Sequence, residues 1–158
     1  MKVVVARQGE SDFDDDAGMR SGWLTDNGRC QMSKLARTLE GVVDGRIVIV
    51  VSNSKRGRTT HELFLQSPKF RDVAILRDLG YWLDDSHPEG TRDSLAATML
   101  ALGEFDSIVL VGQLDRVCEF AKKYYEKMGK TFPANDVPNL NNGQAYVFDF
   151  DTGEGHIV

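Results

Sequence analysis

Residues 107–128 read S-I-V-L-V-G-Q-L-D-R-V-C-E-F-A-K-K-Y-Y-E-K-M, an apolar strand-like run that passes directly into a helical pattern. The run from Ser107 to Gly112 is uncharged, rich in β-branched residues and as long as a buried strand. After Gln113 the period changes. Val117, Phe120, Ala121 and Tyr124 recur at helical spacing over 114–128, with Gly129 just beyond. A buried strand that runs straight into an amphipathic helix is half of a β-α-β unit, and a glutamine sits at the junction.

Outward from this stretch the same alternation repeats. Residues 2–6 form a short apolar run, followed by the charged, glycine-containing D-F-D-D-D-A-G-M-R-S-G-W. Thr25 has the chemistry of a helix N-cap, and Asp26 puts negative charge in the first turn. Cys30, Met32, Leu35, Ala36 and Leu39 then mark a helical face that stops near Gly41. Strands are expected over 46–52 and 72–76, and helices over 55–66 and 91–102. Ser67-Pro68 ends the helix over 55–66, and a loop with Gly80, Trp82 and His87-Pro88 precedes the one over 91–102. A closing strand, A-Y-V-F-D-F-D, alternates as a half-exposed strand does. The fold class is α/β: one domain over 1–158, with a mostly parallel sheet covered by helices on both faces.

A chain of 158 residues with net charge −5 is long enough to bury a sizeable core and is poorly suited to broad nucleic-acid or anionic-membrane binding. No apolar run reaches membrane-spanning length. Cys30 and Cys118 lie in helical segments without C-x-x-C spacing, so both are expected reduced and packed. A soluble, cytoplasmic protein is the expectation.

In such folds the ligand crevice lies outside the carboxyl ends of the parallel strands. Three strands end there in polar groups: Arg7-Gln8-Gly9, Ser52-Asn53-Ser54-Lys55-Arg56 and Gly112-Gln113. Their convergence makes a small basic pocket. Guanidinium forks beside helix N-termini suit phosphate, each charge-assisted hydrogen bond contributing roughly 1.5–3 kcal/mol.

Several motifs now carry a family resemblance. R-Q-G-E-S resembles the R-H-G-E-[ST] signature of the histidine phosphatase, or phosphoglycerate mutase-like, superfamily. L-T-D-N-G-R, V-S-N-S-K-R-G-R-T-T-H-E, L-R-D-L-G-Y-W, V-L-V-G-Q-L-D-R-V and N-N-G-Q-A-Y-V-F-D-F-D resemble further family segments, in the family's order and over nearly the whole chain. The compact length is similar to phosphohistidine phosphatases of the SixA type. The resemblance implies a three-layer sandwich. It also implies phosphate-binding roles for Arg7 and Arg56, the phosphorylated-histidine position at Gln8, the second pocket histidine at Gln113 and the general-acid position at Asp78.

Both histidine positions are therefore glutamines. A glutamine nitrogen is delocalised into its carbonyl and is a poor nucleophile, whereas neutral imidazole carries a free lone pair near neutrality. Covalent phospho-enzyme chemistry is lost at Gln8, but its NH₂ can still donate hydrogen bonds. The expectation is a pseudophosphatase with an intact anion pocket, neither cofactor nor metal, and a phosphate-bearing small molecule or phosphoprotein as ligand. A protein partner is compatible with this; nucleic acid and membrane are not expected. The alternatives are an active phosphomonoester or phosphohistidine phosphatase that attacks through water held by Asp78, and an engineered inactive variant. Arg7→Ala is expected to remove anion binding with little effect on folding.

The remaining features read as structure. Asp12, Asp14, Asp15 and Asp16 form a solvated acidic loop that departs from a calcium loop at Ala17 and Trp23. His61, His87 and His156 are scattered. Trp23 and Trp82 are expected to roof the crevice or fill the core, and Lys122, Lys123, Lys127 and Lys130 to lie on a solvated helix face.

Overall fold

The computed structural model of the chain describes residues 1–13, 22–78 and 90–158. Its strands form one six-stranded sheet. They are β1 (Lys2–Arg7), β2 (Ile47–Ser52), β3 (Ala74–Asp78), β4 (Ser107–Gly112), β5 (Ala145–Asp149) and β6 (Glu154–Ile157), in the order β3-β2-β4-β1-β5-β6. The first four run parallel, whereas β5 is antiparallel to β1 and β6 to β5. Four helices connect them: α1 (Asp26–Glu40), α2 (Lys55–Leu65), α3 (Gly90–Ala101) and α4 (Leu114–Lys127).

Strand periodicity divides the core into two layers. Val4, Ala6, Ile49, Val51, Val109 and Val111 face one side, against Met32, Leu35 and Leu39 of α1 and Leu63 and Phe64 of α2. Val3, Val5, Val48, Val50, Ile108 and Leu110 face the other, against Met99 of α3 and Val117, Phe120, Ala121 and Tyr124 of α4. Strands β2 and β4 are buried at every residue, which explains why they read as continuous apolar runs. The three-layer α/β fold is therefore as expected.

Thr25 caps α1 by accepting from Gly28 N–H at 3.0 Å, and Gly41 ends that helix in a right-handed rather than left-handed conformation. Three readings need correction. Strand β3 begins and ends two residues later than expected, so Asp78 closes the strand instead of following it. Strand β5 is almost wholly buried, not half-exposed, because β1 and β6 flank it and Tyr146 and Phe148 join the core. Strand β6 was not anticipated: E-G-H-I is short, fully exposed and lacks an apolar pattern.

Of the two cysteines, both expected packed, only Cys30 differs from expectation. Cys118 is buried and Cys30 exposed, because Cys30 lies off the face of α1 that meets the sheet. Trp23 is 54% exposed and fills no core. Asp14, Asp15, Asp16, Trp82 and His87 lie outside the described residues. Among the described residues, no helix is long and apolar enough to cross a membrane.

Candidate functional site

Strands β1 and β4 are neighbours, with Arg7 opposite Gly112. The chain leaves β1 toward α1 on one face of the sheet and leaves β4 toward α4 on the other. Adjacent strands whose connections diverge in this way open a crevice between their carboxyl ends. Gln8 N–H donates to Gly112 O at 2.9 Å, so Gln8 and Gln113 directly follow a hydrogen-bonded pair of strand ends.

A cavity of about 320 Å³ lies at this point, lined by Arg7, Gln8, Glu10, Ser11, Arg56, Gly112, Gln113, Leu114 and Asn142. The two arginines and two glutamines expected to converge all line it. Gln8 is only 3% exposed, and its Nε2 donates to Thr60 Oγ1 at 2.6 Å. Thr60 donates in turn to the Arg56 carbonyl at 3.0 Å. Gln8 thus connects β1 to the first turn of α2, which carries Arg56. Its oxygen Oε1, like Oε1 of Gln113, is buried without a hydrogen-bond partner among the described residues. Gln113 holds the N-cap position of α4, yet its side chain makes no capping bond.

Arg7 has a second role. Its Nη1 donates to Leu140 O at 2.7 Å, while its backbone exchanges hydrogen bonds with Gln144 O at 2.9 Å and Gly143 N–H at 3.0 Å. These bonds hold the turn that brings Asn142 to the cavity. Gly143 adopts φ +75 there, and a Cβ would lie 2.6 Å from that of Gln31. Replacing Arg7 with alanine therefore removes the bond to Leu140 O as well as a charge, and leaves the two backbone bonds in place.

Glu10 brings a negative charge to the cavity wall, but its carboxylate is held by α1. Oε1 accepts from Thr25 Oγ1 at 2.8 Å and Oε2 from Asn27 Nδ2 at 3.3 Å, while Glu10 N–H donates to Gln31 Oε1 at 2.9 Å. The helix lies so close to this loop that a Cβ on Gly28 would fall 1.9 Å from Glu10 O. Glu10 and Asn142 stand within the R-Q-G-E-S and N-N-G-Q motifs, where neither was expected to have a role. Asn142 beside a glycine before the closing strand was the available signal.

Asp78 ends β3 opposite Ser52, and its side chain lies outside the described part of the chain. Ser11 lines the cavity, and among the described lining residues there is no histidine or lysine to serve as its base. Among the described residues, no cluster of His, Cys, Asp and Glu could hold a metal ion. His61, on α2, is half-buried, and its pKa is lowered by burial first and by Arg77 second, with Glu62 opposing.

No protein-family model matches the chain, and no curated protein does. Solved structures do. A SixA phosphohistidine phosphatase candidate from Nakamurella multipartitia matches with a TM-score of 0.62 at 15% identity, over 92% of this chain and 82% of that one. The protein histidine phosphatase SixA complexed with tungstate matches with a TM-score of 0.58 at 21% identity, over 100% and 94%. A mycobacterial glucosyl-3-phosphoglycerate phosphatase complexed with VO3 gives 0.56 at 15%, over 99% and 96%. At these identities the likeness establishes the fold, which is phosphoglycerate mutase-like.

Proposed function

We propose that this chain is a pseudophosphatase of the histidine phosphatase superfamily: a module that binds phosphate and does not turn it over. The observation that carries this reading is the cavity itself. It gathers Arg7, Arg56, Gln8 and Gln113 at the carboxyl ends of β1, β2 and β4, with no histidine among its described lining residues. Two guanidiniums attract and orient a tetrahedral anion. Phosphoryl transfer to the protein needs a nucleophile such as an imidazole nitrogen with a free lone pair, and the nitrogen lone pair of each glutamine amide is delocalised into its carbonyl. Glu10, the carboxylate among the described lining residues, is bonded to Thr25 and Asn27. The structural neighbours include phosphatases determined with tungstate and VO3, which supports an oxyanion as the ligand. In this reading the ligand is a phosphate group on a small molecule or on a protein.

The test is calorimetric titration with inorganic phosphate of the parent, Arg7→Ala and Arg56→Ala, with circular dichroism confirming the fold. The parent binds, and each variant weakens binding by roughly tenfold or more, the loss of one charge-assisted hydrogen bond. Unchanged phosphate affinity in both variants overturns the reading.

A further inference from the structure

The turn before β5 is built with more care than a connection needs. Gln144 N–H donates to Asn141 O at 3.0 Å, and Gly143 sits between them at φ +75. This is a β-turn over 141–144 with positive φ at its third residue, as type II geometry requires. Further bonds fix its place. Arg7 Nη1 donates to Leu140 O at 2.7 Å, Arg7 N–H to Gln144 O at 2.9 Å and Gly143 N–H to Arg7 O at 3.0 Å. Asn141 N–H donates to Gln144 Oε1 at 2.8 Å. Asn142, the second residue of the turn, takes part in none of these.

The turn itself does not call for asparagine there, since proline, with no polar side chain, serves well at that place. Nor is the carboxamide used by the fold. It has no hydrogen-bond partner among the described residues. The residue is half-buried on the cavity wall, yet both polar atoms of its side chain stay accessible. The glutamines differ: Gln8 Oε1 and Gln113 Oε1 are buried, and Gln8 Nε2 is bonded to Thr60. A polar group on a fixed turn, accessible at a pocket and unbonded to the protein, is placed to meet a ligand.

We propose that Asn142 is an anion-binding residue of this site, its Nδ2 donating to the phosphate group that Arg7 and Arg56 hold. The inference deepens the anion-binding reading above and rests on it. Arg7 acts twice in this arrangement. Its charge attracts the anion, and its bonds to Leu140, Gly143 and Gln144 set the neutral donor at a fixed spacing from that charge.

The experiment is calorimetric titration of the whole chain with inorganic phosphate, comparing the parent with Asn142→Ala, Asn142→Asp and Asn141→Ala, and urea unfolding of each. Asn142→Ala weakens phosphate binding about tenfold, the loss of one hydrogen bond to an anion. Asn142→Asp keeps the side-chain shape, replaces the donor with a negative charge and weakens binding further. Asn141 is exposed and lies off the cavity wall, so Asn141→Ala binds as the parent does. Urea midpoints stay at the parent's value throughout, which a purely structural role for Asn142 would not allow. Parental affinity in Asn142→Ala or in Asn142→Asp overturns the inference and leaves the arginine site standing. A loss that Asn141→Ala shares overturns it too, because phosphate then senses the turn and not this side chain. A parent that binds no phosphate overturns both this inference and the reading beneath it.

Discussion

The side-chain amide of Gln8 donates to the hydroxyl of Thr60 over 2.6 Å, and Thr60 donates to the carbonyl of Arg56 one helical turn earlier. The residue at the nucleophile position is thereby linked to the backbone that carries a cavity arginine. Thr60→Val keeps the shape and removes the hydroxyl, leaving a buried Gln8 N–H without its partner. The expected loss is about 1–3 kcal/mol of stability, read from urea unfolding. Thr60→Ser, which keeps the hydroxyl, retains the hydrogen bond and loses only a methyl. A Thr60→Val midpoint equal to the parent's would contradict the role given to this link.

Gly57 reverses an ordinary helix rule. Glycine to alanine inside a helix usually stabilises by about 1 kcal/mol. Here a Cβ would stand 1.9 Å from Ser52 O and 2.5 Å from Ser52 Oγ, because α2 lies directly on the end of β2. Gly57→Ala should instead destabilise, by roughly 1–3 kcal/mol as overpacking does, and lower the thermal midpoint. A raised midpoint would show that α2 can move away from β2.

His61 makes stability depend on pH. Burial and Arg77 hold its pKa below 6.5 in the folded state, against the partial opposition of Glu62. The unfolded chain therefore binds more protons in the window just below 6.5. The His61 contribution to stability is fully present above that value and is lost as pH falls through the folded pKa. His61→Gln should flatten the decline in urea midpoint on acidification from about pH 7 to about pH 5. An unchanged slope would remove this assignment.

The thiols should separate by reactivity. Burial, and then the charge of Asp115, pushes the Cys118 thiol up to about 12, so its thiolate is scarce near neutrality. Cys30 is exposed on α1. A chromogenic disulfide reagent should label Cys30 quickly and Cys118 only on unfolding, and Cys30→Ser should abolish the fast phase. Two equally fast thiols in the native protein would contradict the packing of α4.

Much of this fold was legible because its strands are buried on both faces. Runs such as I-V-I-V-V-S have no solvent side on which polar residues could interrupt the pattern. The site was legible for a topological reason: polar residues that end parallel strands fall at one edge of the sheet, and Gln8 and Gln113 follow strands that pair. What escaped the reading depends on tertiary contact. Strand β6 pairs with β5 although E-G-H-I carries no apolar face of its own. Arg7 reaches Leu140 O across 133 positions, and no spacing in the sequence announces that bond. The direction of the Gln8 amide is set by Thr60, so the sequence shows its donors and acceptor but not which end faces a neighbour.

The central claim is that the cavity keeps its phosphate-binding frame and lacks only the nucleophile. The most direct measurement is hydrolysis of an aryl phosphate by the parent chain and by the Gln8→His, Gln113→His double variant, side by side. The account predicts a silent parent and a double variant that turns over, because imidazole restores a lone pair at each position. A parent that hydrolyses the substrate well above a Gln8→Ala control would contradict it and make Gln8 part of a working active site.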